Sequence, residues 1–586
     1  MLVRQVEESP ARASCTTLAA ALVDGLTQLG VRQAHGVSGG AMAAIWHALS
    51  TSALQVHHFR HEGGAVFAAI EEHFASGRPA LAFTTTGPGL TNALTGLLAA
   101  RGEGAKLILV SAFTSAPARG RFAIQETGDR TLPRELHARG PLFHFAEVLE
   151  APADLPRVLR ELAQGLARPG GFVAHVAVPT AVQAENVDPH ARWRSLPPEG
   201  AGRYGAGSAG CLPPPKIQAC AQALLAAPFA IWLGFGAREA AAEVRALVER
   251  TGAPVFCTPR GKGILPETHP RFVGVTGMGG HESVAAWVAA QAPARILVLG
   301  SRLGEASSLY DPRLVPREGF LHVDVDPDVA GVAYPDAPTL SVVADAGALL
   351  RALLEILPAR PAPRPPLPCT RPVLAPTTPA GAARVRPEIL MDAIQRHVVD
   401  ASDAIVLAES GNAFVWATHR LSFAAPGRYR ASTSVGAMGH AAAGVVGAAL
   451  ARGRRAVALV GDGALLMHNE INTAVKYGAL STWIVLNDGR YGMCHQGMET
   501  LGLQADALFP AVDFVAFARA QGADGVRVLA EGELDAALAR AASARGPFVV
   551  DVLVDPAARA PALARNRGLA RQLAGARGDD VSFPTR

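Results

Sequence analysis

The feature that most constrains this chain is an alternation. Short, nearly uninterrupted apolar runs rich in Val, Ile and Leu, at 107–110, 295–299, 456–460 and 483–486, are separated by amphipathic helical patterns. Strands that are apolar on both faces need cover on both faces, which predicts parallel sheets layered between helices. Two Pro-rich stretches, 196–215 and 358–379, cut the alternation into three segments. At 586 residues the chain is too long for one core. The expected architecture is therefore α/β, three doubly wound parallel-sheet domains over 12–190, 212–358 and 384–560. Ligands in such sheets bind where loops leave the carboxyl ends of the strands, so chemistry is sought there.

Composition removes other classes. Hydrophobic residues make up 49% of the chain and charged residues 18%, with no uninterrupted apolar stretch long enough for a bilayer, so no membrane role is expected. The first residues mix charges of both signs where a signal peptide needs an apolar core, which points to a cytoplasmic protein. The net charge of +4 is small and dispersed, so nucleic acid is not an expected partner. Six cysteines lie without paired metal spacing, as free thiols of a reducing compartment would.

The run at 456–460 leads into Gly461-Asp462-Gly463-Ala464, a helical pattern follows, and the run at 483–486 ends in Asn487-Asp488-Gly489-Arg490. Glycines let backbone approach a diphosphate closely, and Asp462 and Asp488 offer hard oxygen to a Mg²⁺ bridging its phosphates. With these residues the sequence resembles the thiamine-diphosphate-dependent enzymes, specifically the acetolactate synthase and pyruvate oxidase-like group, over roughly 14–560. The resemblance implies a metal site of Asp462, Asp488 and the Arg490 carbonyl. The chain departs from the family in an interval about one residue shorter, and in Asp488 where Asn is usual, leaving Asn487 as an alternative ligand. By the same resemblance the three segments become a pyrimidine-binding, a central and a diphosphate-binding domain.

Thiamine diphosphate works from a C2 carbanion, whose formation needs a carboxylate that drives the aminopyrimidine into its imino tautomer. In Arg60-His61-Glu62-Gly63-Gly64, Glu62 opens a helical pattern, and the resemblance gives it that activating role. A solvated helix-start carboxylate is the plain alternative. Thr86-Gly87-Pro88-Gly89 resembles a segment lying against the cofactor, and Ile124-Gln125-Glu126-Thr127 one whose Gln faces the reacting carbonyl, which assigns Gln125 a catalytic role. His57 and His58 are expected to be packed or solvated. In Ser434-Val435-Gly436-Ala437-Met438-Gly439 the resemblance has Met438 wedge between the cofactor rings while the Gly436 carbonyl holds the amino group. Gly411 and Asn412 resemble a loop capping the diphosphate, and Gly463 and Ala464 complete the cofactor set.

Gly497 falls where acetolactate synthases carry a pocket-shaping Trp, so the acceptor is expected to be larger than a second pyruvate or 2-oxobutyrate. His468 and His495 are candidate proton-transfer groups. Gly234-Phe235-Gly236 resembles the family's central domain, which binds FAD in several members, while Gly300-Ser301-Arg302-Leu303-Gly304-Glu305 lacks the acidic pair followed by Arg of the flavin-binding relatives, so FAD is a candidate cofactor and a purely structural domain is the alternative. The implied function is a carboligase that decarboxylates a 2-oxo acid donor, pyruvate first among them, and passes the acyl unit to an acceptor carbonyl. A homodimer or tetramer is implied because Glu62 of one subunit would meet another's diphosphate site. The alternatives are a non-ligating decarboxylase and an inactive nucleotide-binding relative.

Overall fold

The computed structural model describes residues 16–187, 212–358 and 384–561, together with 568 and 570. Most of both Pro-rich stretches, Cys15, Cys211, Cys369, the first residues and most of the Ala- and Arg-rich tail lie outside the described residues.

Each described segment builds one six-stranded, wholly parallel sheet with helices on both faces, the expected fold class. The first contains β1 (Gln33–Val37), β2 (Gln55–His58), β3 (Ala80–Thr84), β4 (Lys106–Phe113), β5 (Phe145–Val148) and β6 (Phe172–Pro179), in the order β2-β1-β3-β4-β6-β5. The second contains β7 (Phe229–Leu233), β8 (Val255–Cys257), β9 (Phe272–Val275), β10 (Arg295–Leu299), β11 (Phe320–Asp324) and β12 (Thr339–Val343), in the order β12-β11-β10-β7-β8-β9. The third contains β13 (Ile405–Ala408), β14 (Tyr429–Ala431), β15 (Ala456–Gly461), β16 (Ser481–Asn487), β17 (Asp524–Val528) and β18 (Phe548–Leu553), in the order β14-β13-β15-β16-β18-β17. First and third sheets thus share one winding, and the second has the dinucleotide-binding order. The reversal of strand order, where loops splay and leave a crevice, falls between β1 and β3, β7 and β10, and β13 and β15.

Central strands bury nearly every side chain, and their apolar runs supply six cores, one on each face of each sheet. The helix Glu62–Ser76 belongs to two of them. Its first twelve residues are all buried, because one side lies on the first sheet and the other meets the helix His440–Arg452 of the third domain. A Cβ on Gly447 would stand 1.9 Å from the Ala68 carbonyl oxygen, so glycine there sets how closely the two helices approach. Among the described residues no helix is long and apolar enough to cross a membrane.

Candidate active site

The expected residues gather in two groups. In the third domain, loops after β13, β14, β15 and β16 converge at the crevice between β13 and β15. Gly411 precedes the helix Asn412–Arg420 with φ +109° and ψ −155°, a backbone state essentially reserved for glycine, and so turns Asn412 into the crevice mouth. Asp462 opens the helix Asp462–Met467. Its Oδ1 accepts from the Gly463 amide at 2.8 Å, and its Oδ2 from the Asp488 and Gly489 amides at 3.2 and 2.7 Å. Burial, then the charge of Asp488, push the Asp462 carboxyl up to about 7. Asp488 is also raised by burial, against the pull of Arg490, whose Nε lies 3.2 Å from its Oδ2. The Arg490 guanidinium also holds the Pro556 carbonyl.

Space and polarity at this point suit a diphosphate with a divalent cation. A Cβ on Gly492 would meet Asp488 Oδ2 at 2.8 Å and Asn412 Nδ2 at 3.0 Å, so glycine there lets both polar groups stand side by side against the backbone. Asn412 Oδ1, shut off from solvent, has no hydrogen-bond partner among the described residues. Two crowded carboxylates with raised proton affinity are what a hard cation relieves, and Mg²⁺ typically binds through one or two carboxylates plus phosphate oxygens. Asn487, the alternative ligand, is turned elsewhere: its Nδ2 donates to Asp551 Oδ1 at 2.8 Å and to the Val512 carbonyl at 3.2 Å. Segment 434–439 lies beside the crevice with Gly436 at φ +62° and Gly439 at φ +91°, and Met438 is half-buried. Ala464 is buried in the first turn of its helix.

The second group stands at the carboxyl ends of the first sheet. Glu62 is the first residue of its helix, is buried, and accepts from Asn92 Nδ2 at 3.1 Å. A Cβ on Gly89 would come within 3.4 Å of Glu62 Oε1, which sets the Gly87-Pro88-Gly89 turn against the carboxylate. Gln125 is exposed at φ +55°, with Thr86 Oγ1 at 3.4 Å from its Oε1. Its loop is pinned at the base by reciprocal bonds: the Thr114 amide to Thr127 Oγ1 at 2.7 Å and the Thr127 amide to Thr114 Oγ1 at 2.8 Å. Among the described residues no hydrogen bond joins Glu62 or Gln125 to 411–412, 436–438, 462–464 or 488–490 of the same chain.

The histidines divide. His57 is packed, stacked on His35 with ring centres 5.1 Å apart, and burial lowers it to about 4. His468 packs on His61 at 4.7 Å and is likewise lowered to about 4 by burial, so it stays neutral. His495 pairs with Glu499 at 3.2 Å. Gly497 is buried in the helix Gly492–Thr500, next to Gln496, whose amide clasps Ala560 in both directions at 2.7 and 3.1 Å.

The central domain's crevice fits a flavin poorly. Gly234 and Gly236 lie directly on Gly300: the Gly236 amide bonds the Gly300 carbonyl at 2.9 Å, and a Cβ on Gly234 would meet that oxygen at 2.3 Å. Between the glycines, Phe235 places its ring 3.8 Å from the Arg260 guanidinium carbon, 4.2 Å from that of Arg238 and 4.7 Å from that of Arg430. The Gly236 amide, which a phosphate-cradling loop would turn to its ligand, is thus already spent on Gly300, and the Phe235 ring packs on arginines of the central and third domains. Residue patterns missed three participants, assigning no role to Asn92 or to the buried carboxylates Glu103 and Glu470. The one usable signal was that a buried Glu62 requires a donor.

The chain is similar to known proteins over most of its length. The thiamine pyrophosphate enzyme N-terminal TPP binding domain matches residues 16–132, the central domain 217–353 and the C-terminal TPP binding domain 409–552. The acetolactate synthase-type protein IlvB2 of Mycobacterium tuberculosis is 30% identical over 87% of this chain and 92% of its own length. The acetolactate synthase large subunit of Parasynechococcus marenigrum is 29% identical over 92% of this chain and 87% of its own. Acetolactate synthase isozyme 1 large subunit of Escherichia coli is 26% identical over 91% and 93%. With three matching domains in order, a relative covered almost end to end, and the crevice residues in place, this chain belongs to the thiamine pyrophosphate enzymes, in their acetolactate synthase-like carboligase group.

Proposed function

We propose that the protein decarboxylates a 2-oxo acid, pyruvate in the first instance, and joins the resulting acyl unit to an acceptor carbonyl larger than a second pyruvate. The observation that carries this reading is the gathering of Asp462, Asp488 and Asn412 at the carboxyl end of the third sheet, with the Asp462 carboxylate bound to the amides of Asp488 and Gly489 and Asn412 and Asp488 both against Gly492. In it Asp462, Asp488 and the Arg490 carbonyl hold Mg²⁺, while Gly411, Asn412, Gly463 and Ala464 line the diphosphate. Thiamine diphosphate, when bound, supplies a nucleophilic C2 carbon able to store an acyl group. Glu62 holds a proton at the aminopyrimidine ring nitrogen, and its burial against Asn92 keeps water from competing for that contact. The Gly436 carbonyl orients the exocyclic amino group, Met438 fixes the angle between the rings, and Gln125 donates to the substrate carbonyl. The acceptor reading rests on the missing indole at Gly497.

A second copy completes the site. Glu62 and the third-domain crevice have no bond to each other within one chain, and apolar side chains around both are bare: Phe122 is 100% exposed, Ile124 92%, Leu508 66% and Met467 57%. A homodimer, or a tetramer built from it, brings the two groups together and covers these residues. The segments 12–190, 212–358 and 384–560 act as pyrimidine-binding, central and diphosphate-binding domains. The central one works as a scaffold without flavin, given that the Gly236 amide is spent on the Gly300 carbonyl. Free Cys220, Cys257 and Cys494 suit a reducing cytoplasm. Labelled pyruvate with thiamine diphosphate, Mg²⁺ and a panel of acceptors tests the whole. Carbon dioxide release with an acyloin product, lost in Glu62→Ala, supports it, and free aldehyde as the product would replace carboligation with simple decarboxylation.

A further inference from the structure

Two buried carboxylates outside the proposed cofactor set bind segments of the opposite domain. Glu470, 1% exposed in the third domain, accepts from the Arg60 amide at 3.1 Å (Oε2) and the His61 amide at 3.3 Å (Oε1), the two residues immediately before Glu62. Thr473 Oγ1 donates to the same carboxylate, and the Arg60 guanidinium reaches Asn472 Oδ1 at 2.6 and 3.0 Å, so the strap has two arms. A Cβ on Gly64 would lie 2.6 Å from Glu470 Oε1, which shows how closely the carboxylate caps this helix start.

Glu103, 4% exposed in the first domain, is its counterpart. Its Oε1 accepts from Ser432 Oγ at 3.0 Å and from the Thr433 and Ser434 amides at 2.8 Å each, directly ahead of Gly436 and Met438. Its other oxygen lies 2.6 Å from Arg260 of the central domain. The approach is close enough that a Cβ on Gly102 would stand 2.1 Å from Ser434 Oγ. One carboxylate therefore joins all three domains at the base of a single loop.

We propose that Glu103 and Glu470 are positioning residues that form a reciprocal clamp: each domain fixes, through charge-assisted bonds to backbone amides, the cofactor-facing segment of the other. The proposal rests on the reading of Glu62 and 436–438 as cofactor contacts. Its logic is preorganisation. Glu62 has to reach one ring of the cofactor, and Gly436 and Met438 have to set the bend between both rings. Neither segment is held by its own sheet alone, since both are loops beyond strand ends. A bond from an amide to a buried carboxylate is among the stronger ones available, and two or three per segment suffice to hold it before ligand arrives.

Hydrogen–deuterium exchange of the cofactor-free protein, paired with thiamine diphosphate titration and the imino-tautomer circular dichroism band, tests this. Glu103→Ala is expected to speed exchange at Thr433 and Ser434 and to weaken cofactor affinity, each by about tenfold or more. Glu470→Ala is expected to speed exchange at Arg60 and His61 by about as much, to leave affinity within roughly threefold, and to diminish the imino band. Glu103→Gln and Glu470→Gln, which keep the shape and one accepting oxygen, are expected to restore part of each loss and carry the test if an alanine variant does not fold. Unchanged exchange at the four amides, or equal loss of affinity in both alanine variants, would overturn the clamp. A normal imino band in Glu62→Ala would instead sink the reading on which it rests, while leaving the exchange result of the unloaded protein intact.

Discussion

Asp462 carries a proton affinity far above that of an ordinary Asp because it is buried and faces Asp488, and this has a direct consequence for metal binding. A carboxylate must be ionised to ligate a cation, so below its pKa the cation has to displace a proton. Apparent Mg²⁺ affinity should therefore rise with pH up to about 7 and level off above it, by as much as about tenfold per pH unit on the steep side. Isothermal titration across pH 5.5 to 8.5, a range of roughly three units about that value, measures it; a flat profile would disprove the linkage. Asp488→Asn removes the neighbouring charge and leaves Arg490 Nε without its ionic partner, so the same curve should shift to lower pH while its plateau affinity drops. At this scale the sequence was informative wherever chemistry demands one residue type. Glu62, Asp462 and the glycines stood in motifs, whereas Asn92, Glu103 and Glu470 are defined by hydrogen bonds to segments distant in the chain, which residue patterns do not record.

The contact between the helices Glu62–Ser76 and His440–Arg452 is where the first and third domains meet most extensively. It depends on glycine: a Cβ at 447 would sit inside the contact distance of the Ala68 carbonyl. Gly447→Ala should push the helices apart and destabilise the fold by about 1–3 kcal/mol, as overpacking of a close-fitted interior does. Thermal unfolding would report it, and an unchanged transition would show that the helices can shift freely. The elements themselves were unevenly legible. Central strands such as β4, β15 and β16 are buried on both faces and read as apolar runs. The partly exposed edge strand β12, and the three-residue β14, offer no such run and emerge only from pairing with their neighbours.

For the whole molecule the decisive question is whether one chain suffices. If Glu62 serves the crevice of a second copy, Glu62→Ala and Asp462→Ala are each inactive alone. Mixed subunits should regain up to about a quarter of wild-type activity, because half of randomly mixed dimers hold one intact site. No recovery after mixing and reassociation would place both groups in one chain's site. The central domain gives a separate expectation: purified protein should lack flavin absorbance and show no saturable FAD binding, while Phe235→Gly, which bares the loop beside Gly300, should not lower thiamine diphosphate affinity. Saturable FAD binding by the unaltered chain would refute the scaffold reading.

By itself the sequence determined the class of fold, because burial on both faces forces continuous apolar strands, and its glycine and carboxylate motifs after those strands carried the family resemblance from which the kind of chemistry follows. Only the tertiary structure decided which side chains gather at the crevice and which bridge the domains. The Asn487 amide turns to Asp551, Phe235 stacks on Arg260, and Glu103 and Glu470 cross between domains. Each of these depends on the distance between residues far apart in the chain, a quantity set by how three sheets pack against one another and not by any local pattern of residue types.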